Sequence, residues 1–387
     1  MKIKNGILQI LFFLTGVQVI NPQSKTGDLP VIDISRNHPE KRQILQDVAD
    51  IEYIPLETSA DVLLSGNATL SSVSDKYILV HEARRGDIYV FDRTGEIYSH
   101  FNHKGQGSRE YTWIGAGTII DEKGEEIFVC SQSIQVYSLN GEYKRTLKIN
   151  TIQKELKVFN FDDETLLVYE DVIIYSPTNI SAKKNPYSLI SKKDGSEVSV
   201  LDIHLAERYS TRMPVPEEND KFRLVSMSYP GMHLHYGQDF MIADISSDTM
   251  YLLTQNRELT PILTRKPSVH TSDPKRIWFT LLTTDKFVLI GSLPLVFNSR
   301  GGRIPVLMYE FETGETSKAS FLDAENGMGK WTPDASPAIA KNMTASLIQS
   351  PSIIESYKKN QLKGDYEKFA ATLGEDDNPI VRIVKFK

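Results

Sequence analysis

The stretch Ile88–Tyr111 reads as a strand, a tight turn, a second strand and a Gly-rich loop, and the same unit returns along the chain. Ile88, Val90 and Asp92 alternate with Tyr89, Phe91 and Arg93, a period-two pattern rich in β-branched and aromatic residues. Asp92-Arg93-Thr94-Gly95 is a turn signal, because glycine tolerates the positive φ that such turns need. Equivalent turns follow at Gly141, Gly195, Arg257 (in the glycine place) and Gly314, at spacings of 46, 54, about 62 and about 57 residues. Short strands repeated at such periods specify a propeller, with one four-stranded blade per repeat.

The segment Tyr77–Tyr111, with its "VFD..G" turn and Gly-rich exit, resembles the bacterial secreted six-bladed β-propeller family and is similar to an NHL repeat. Leu29–Ile34, Ile51–Thr58 and Glu375–Val381 are similar to the opening and closing segments of that family, which includes NHL-like and TolB-like propellers of unknown function. The expectation is an all-β, six-bladed propeller over residues 29–387, with seven blades as the competing count. Blade one runs from Val62 to Phe101, blade two from Trp113 to Ile149, and blade three from Lys157 to Ile203 with an insertion at Ser176–Asn185. Blade four runs from Phe222 to Thr264 and blade five from Trp278 to Phe321. Leu29–Ser35 is expected to pair with Ile380–Phe386 and close the ring, which removes a free edge. His38–Val48 reads as a polar connector with a helical turn. Ser352–Gln361 and Asp365–Leu373 read as two helices, the second capped by Gly374.

Residues 1–24 have the form of a Sec signal peptide: Lys2 and Lys4, then the apolar run Ile7–Ile20, with cleavage expected in Asn21–Gly27. An uncleaved anchor is the alternative. The export route places the chain in the periplasm or outside the cell, and the lack of a cysteine near the start excludes lipoprotein anchoring. Cys130 is the single cysteine and reads as a small buried apolar residue. Net charge is −6, and loss of Lys2 and Lys4 would take it to −8, which argues against nucleic acid as a partner.

In such a propeller the loop between second and third strands and the loop between blades share one face. That places Arg84, Arg85, His103, Lys104 and Arg109 on one rim of an acidic protein. Two readings stand: a site for an anionic group such as a carboxylate or acidic sugar, or solvated charges around a Gly-rich turn. Asp244, Asp248, Glu170 and Asp171 fall on the same face. Converging carboxylates there would hold calcium or another divalent metal, or act as an acid/base pair on a glycoside. His233 and His235, at i and i+2 of a strand, are the weak metal-ligand candidates, with no third ligand visible. No cofactor is otherwise called for. No G-x-S-x-G, H-E-x-x-H, P-loop, C-x-x-C or sialidase Asp-box occurs.

The functional expectation is a monomeric binding module that takes a small molecule or glycan, or a protein partner, at the channel mouth. The alternative is a lyase, lactonase or glycoside hydrolase at the same mouth.

Overall fold

A computed structural model describes residues 28–131, 133–149, 156–218, 221–226, 239–296, 304–333 and 342–387, with the backbone alone at 18–20 and 233–236. The chain forms a six-bladed β-propeller. Blade one comprises Thr69–Val73, Tyr77–Glu82, Asp87–Asp92 and Ile97–Asn102, each strand antiparallel to the next. Blade two runs from Thr118–Asp121 to Tyr143–Leu147, and blade three from Leu156–Asn160 to Glu197–Leu201. Blade four runs from His233–Tyr236 to Leu259–Lys266, and blade five from Arg276–Thr283 to Thr316–Asp323. Blade six has three strands among the described residues: Met343–Ile348 innermost, then Ile380–Phe386, then Ala49–Pro55.

The turns that mark the repeat behave alike. Gly95, Gly141, Gly195 and Gly314 take φ of +91°, +84°, +84° and +71°, and Arg257 takes +62° in the glycine place. At Gly95 a Cβ would stand 1.9 Å from the Pro55 carbonyl oxygen, so close approach as well as φ demands glycine there.

Burial exceeds what one-faced alternation suggests. All residues of Asp87–Tyr89 and Val90–Phe91 are buried, because each blade is sandwiched between two others. The core is therefore a set of interblade layers. Leu79, Ile88 and Val90 of blade one pack on Ile120, Ile127 and Tyr137 of blade two, and Phe128 and Val136 of blade two pack on Val158 and Val168 of blade three. Each such aliphatic or aromatic side chain contributes about 1.5–3 kcal/mol on burial.

The ring closes at a different N-terminal strand from the one expected. Ala49–Pro55, not Leu29–Ser35, pairs with all seven residues of Ile380–Phe386. Val31–Asp33 instead runs parallel to the outer strand of blade four, and Asp33 ends it by accepting hydrogen bonds from the Ser35 and Arg36 amides. Glu40–Ile44, inside the expected connector, adds in parallel to the outer strand of blade five, and Leu45–Val48 forms the helical turn. Gln18–Ile20 adds similarly to blade three. The segment before the ring thus follows the outer edges of blades three, four and five before entering blade six. The rest of the expected leader, residues 1–17 and 21–24, lies outside the described residues.

Blade four begins at His233–Tyr236 rather than Phe222, since Phe222–Ser226 pairs with Arg212–Pro216 as a separate hairpin. The insertion in blade three is a second hairpin, Ile173–Ser176 with Asn179–Ser181. Helices Ser350–Lys358 and Gly364–Ala370 lie between the first two strands of blade six, with Ile353, Tyr366 and Ala370 buried and Tyr366 stacked on Tyr53 at 4.4 Å. The second helix is capped by Ala371, and Gly374 lies beyond it.

Candidate functional site

On blade one the loop between second and third strands and the loop to blade two are in contact. The Tyr111 hydroxyl donates to the Gly86 carbonyl at 2.6 Å, and Lys104 Nζ donates to the Arg84 carbonyl, which joins the interblade loop to the loop between second and third strands. Most of the candidate side chains on these loops are already engaged. Arg85 Nε lies 3.3 Å from Glu82 Oε2 and 3.2 Å from Asp87 Oδ2. The His103 ring stacks on Tyr137 and meets the Gly141 carbonyl at 2.7 Å. The Arg109 guanidinium sits over Tyr143 at 5.5 Å. Arg84 is exposed.

Asp244 and Asp248 sit in blade four, in separate networks. Asp244 is buried and accepts hydrogen bonds from the Tyr187 hydroxyl at 2.9 Å and the Ser246 amide at 2.7 Å. Asp248 accepts from Arg265 Nε at 2.9 Å and the Val269 amide at 2.8 Å. Burial works against its ionisation, yet hydrogen bonds from Ser268, Val269 and Arg265 outweigh it and hold the carboxyl below its ordinary value. Glu170 pairs with Lys183, and Asp171 lies 3.6 Å from Arg212. Sequence reading passed over Lys157 in this network, whose amine burial pushes down while Asp171 and Asp244 pull it up. Side chains of His233 and His235 lie outside the described residues. Cys130 is buried, and burial pushes its thiol up to about 12, so it is not a reactive thiolate near neutral pH. Among the described residues, no three His, Cys, Asp or Glu side chains gather as a metal site.

The central cavity was not anticipated residue by residue. Its volume is about 1310 Å³, and it runs along the innermost strands of blades one, two and three to the turns between first and second strands. Its walls carry neutral hydrogen-bonding groups, among them Ser71, His81, Thr118 and Asn160, and charged groups at the turns, from Asp75 to Glu164. Ser71 Oγ lies 2.6 Å from His81 Nδ1 and 2.7 Å from Thr118 Oγ1, so two blades meet through one buried polar trio. Burial pushes His81 down to about 4, which keeps its imidazole neutral at physiological pH. A β-bulge produces this placement: pairing passes from Leu70–Val80 to Ser72–Leu79 and leaves Ser71 as the extra residue. Polar residues at Thr69, Ser71 and Thr118 on innermost strands were the available signal.

The sequence profile of DUF4934, a domain of unknown function, matches residues 29–385. The chain belongs to the DUF4934 family. No curated protein matches it. Among solved structures, a protein of Bacteroides fragilis NCTC 9343 described as exported is similar with a TM-score of 0.60 and 11% identity, over 96% of this chain and 100% of that one. A DUF4221 family member from Bacteroides vulgatus ATCC 8482 gives a TM-score of 0.43 and 11% identity, over 88% and 97% of the two chains. At these identities the first of these supports the propeller fold of this DUF4934 chain and nothing finer. No helix among the described residues is long and apolar enough to cross a membrane.

Proposed function

We propose that this chain is an exported binding module that holds a small ligand in its central channel. Export rests on Lys2, Lys4 and the apolar run Ile7–Ile20, and on the description of the Bacteroides fragilis structure as exported. The observation that carries the binding reading is the concave cavity of about 1310 Å³ on which a few buried polar side chains converge, since small-molecule sites are concave and fix their ligands through a few placed polar groups. The blade-one rim supports it less, because Arg85 is held by Glu82 and Asp87.

The test is a thermal-shift screen of the full chain against soluble saccharides, amino acids and divalent metals. A ligand that binds only the folded state raises the melting temperature by mass action. At least one shift is expected, and Thr69→Trp, at an exposed innermost-strand position lining the cavity, should abolish it. A shift that survives Thr69→Trp but is lost in Arg84→Ala/Arg85→Ala would move the site to the rim and sink the channel reading.

A further inference from the structure

Resting on that channel reading, we infer that the ligand is an uncharged, hydroxyl-bearing molecule anchored on Ser71, His81 and Thr118. The three side chains line the cavity, and their residues are only 7%, 5% and 5% exposed, so water does not blur their preference. Their hydrogen-bond capacity can be counted. Ser71 has one hydroxyl proton for its two short contacts, so it donates at most one of them; where it accepts both, its own proton is left as a donor and His81 Nε2 as an acceptor. In one arrangement Thr118 donates to Ser71 and Ser71 donates to His81 Nδ1. That leaves the His81 Nε2–H as a donor and a Thr118 lone pair as an acceptor. In another arrangement His81 Nδ1–H donates to Ser71 and Ser71 donates to Thr118, which leaves a Thr118 proton as donor and His81 Nε2 as acceptor.

In each arrangement the trio keeps one donor and at least one acceptor to spare. A hydroxyl group, itself donor and acceptor, satisfies both. A carboxylate accepts only and matches half. Leaving a buried polar group unmatched is what makes such sites selective.

The charges around the cavity point the same way. Six carboxylates line it, from Asp75 to Glu164, against Lys76 and Lys123. Lys76 faces Glu122 at 3.8 Å, and Lys123 pairs with Asp163. Behind the wall, Lys192 and Arg257 pair with Asp121 at 2.6 Å and Asp162 at 3.0 Å. Carboxylates still outnumber these cations, so an anionic ligand would enter against a negative wall. This departs from the acidic-sugar expectation raised by the rim.

The experiment is isothermal titration calorimetry of the full chain at pH 7 with D-glucose and D-galactose against D-glucuronate and D-galacturonate. A neutral sugar should bind at least about tenfold more tightly than its uronate, and Thr118→Val, close in shape, should weaken it about tenfold. Equal or tighter uronate binding, or an unchanged affinity in Thr118→Val, overturns the inference. If no sugar binds while another ligand from the screen is lost in Thr69→Trp, the hydroxyl class is wrong and the channel reading stands. If no ligand is sensitive to Thr69→Trp, both fall.

Discussion

The rim and the central cavity share blade one and differ in how they use polarity. The rim gathers full charges at the surface, and most are held within the rim: Arg85 by Glu82 and Asp87, Lys104 by the Arg84 carbonyl. On one wall of the cavity three neutral groups are held out of water, and Ser71, His81 and Thr118 keep hydrogen-bonding capacity in reserve. The difference teaches that density of charge is a poor guide to a binding surface. Exposed ion pairs contribute roughly 0–1 kcal/mol and mostly hold loops, whereas a buried neutral group with an open valence rewards a matching ligand.

The sharpest way to break this comparison is acid. His81 is held near pKa 4 by burial, against 6.5 for the free side chain, so the unfolded chain takes up a proton that the folded chain refuses. Stability from this group is complete above pH 6.5 and declines as pH falls from 6.5 towards 4, by about 3 kcal/mol in all. Urea unfolding from pH 7 to pH 4 should show this loss in the native chain and a shallower one in His81→Gln. Parallel curves for the two proteins would mean that His81 is hydrated, and the trio would lose its claim to be dry and neutral.

A smaller effect is expected at the rim. Glu82 is buried, takes the Ser65 amide at 2.5 Å on one oxygen, and faces Arg85 at 3.3 Å with the other. Arg85→Ala strips that second oxygen of its cation, but the Arg85 side chain is 58% exposed and solvent screens the pair. The cost should be about 1 kcal/mol in urea unfolding and should shrink in 1 M salt, by roughly the screening expected at that strength. An effect as large as that of His81, or one indifferent to salt, would make the rim a buried site after all.

The fold was legible where structure is local. The turns at Gly95, Gly141, Gly195, Arg257 and Gly314 each need positive φ, and a short sequence window shows this. Closure was harder to read, because Ala49–Pro55 and Leu29–Ser35 alternate alike. Only the Asp33 turn and the seven-residue pairing with Ile380–Phe386 separate them, and that pairing spans most of the chain. Blade four was misplaced because the hairpin Arg212–Ser226 carries the same strand signal as a blade. The contact between the two blade-one loops was legible because their charges cluster in sequence. The cavity trio was not, because Ser71 and Thr118 lie on different blades and a bulge at Ser71 breaks the alternation that would have assigned its side chain to a face.

The least effect is expected from the residue that looks most like a ligand hook. Arg84 is exposed, and Lys104 bonds to its backbone carbonyl, which any substitution preserves. Arg84→Ala should therefore change stability by no more than about 0.5 kcal/mol, and a ligand held in the channel should bind unchanged in calorimetry. Arg84 and Arg85 are neighbours in sequence with opposite assignments: Arg85 as a clamp on Glu82 and Asp87, Arg84 as a solvated charge. If Arg84→Ala left folding intact and yet removed binding, that assignment would invert. The clamp at Arg85 would then serve to present Arg84, and the rim rather than the cavity would be the surface on which this propeller takes its ligand.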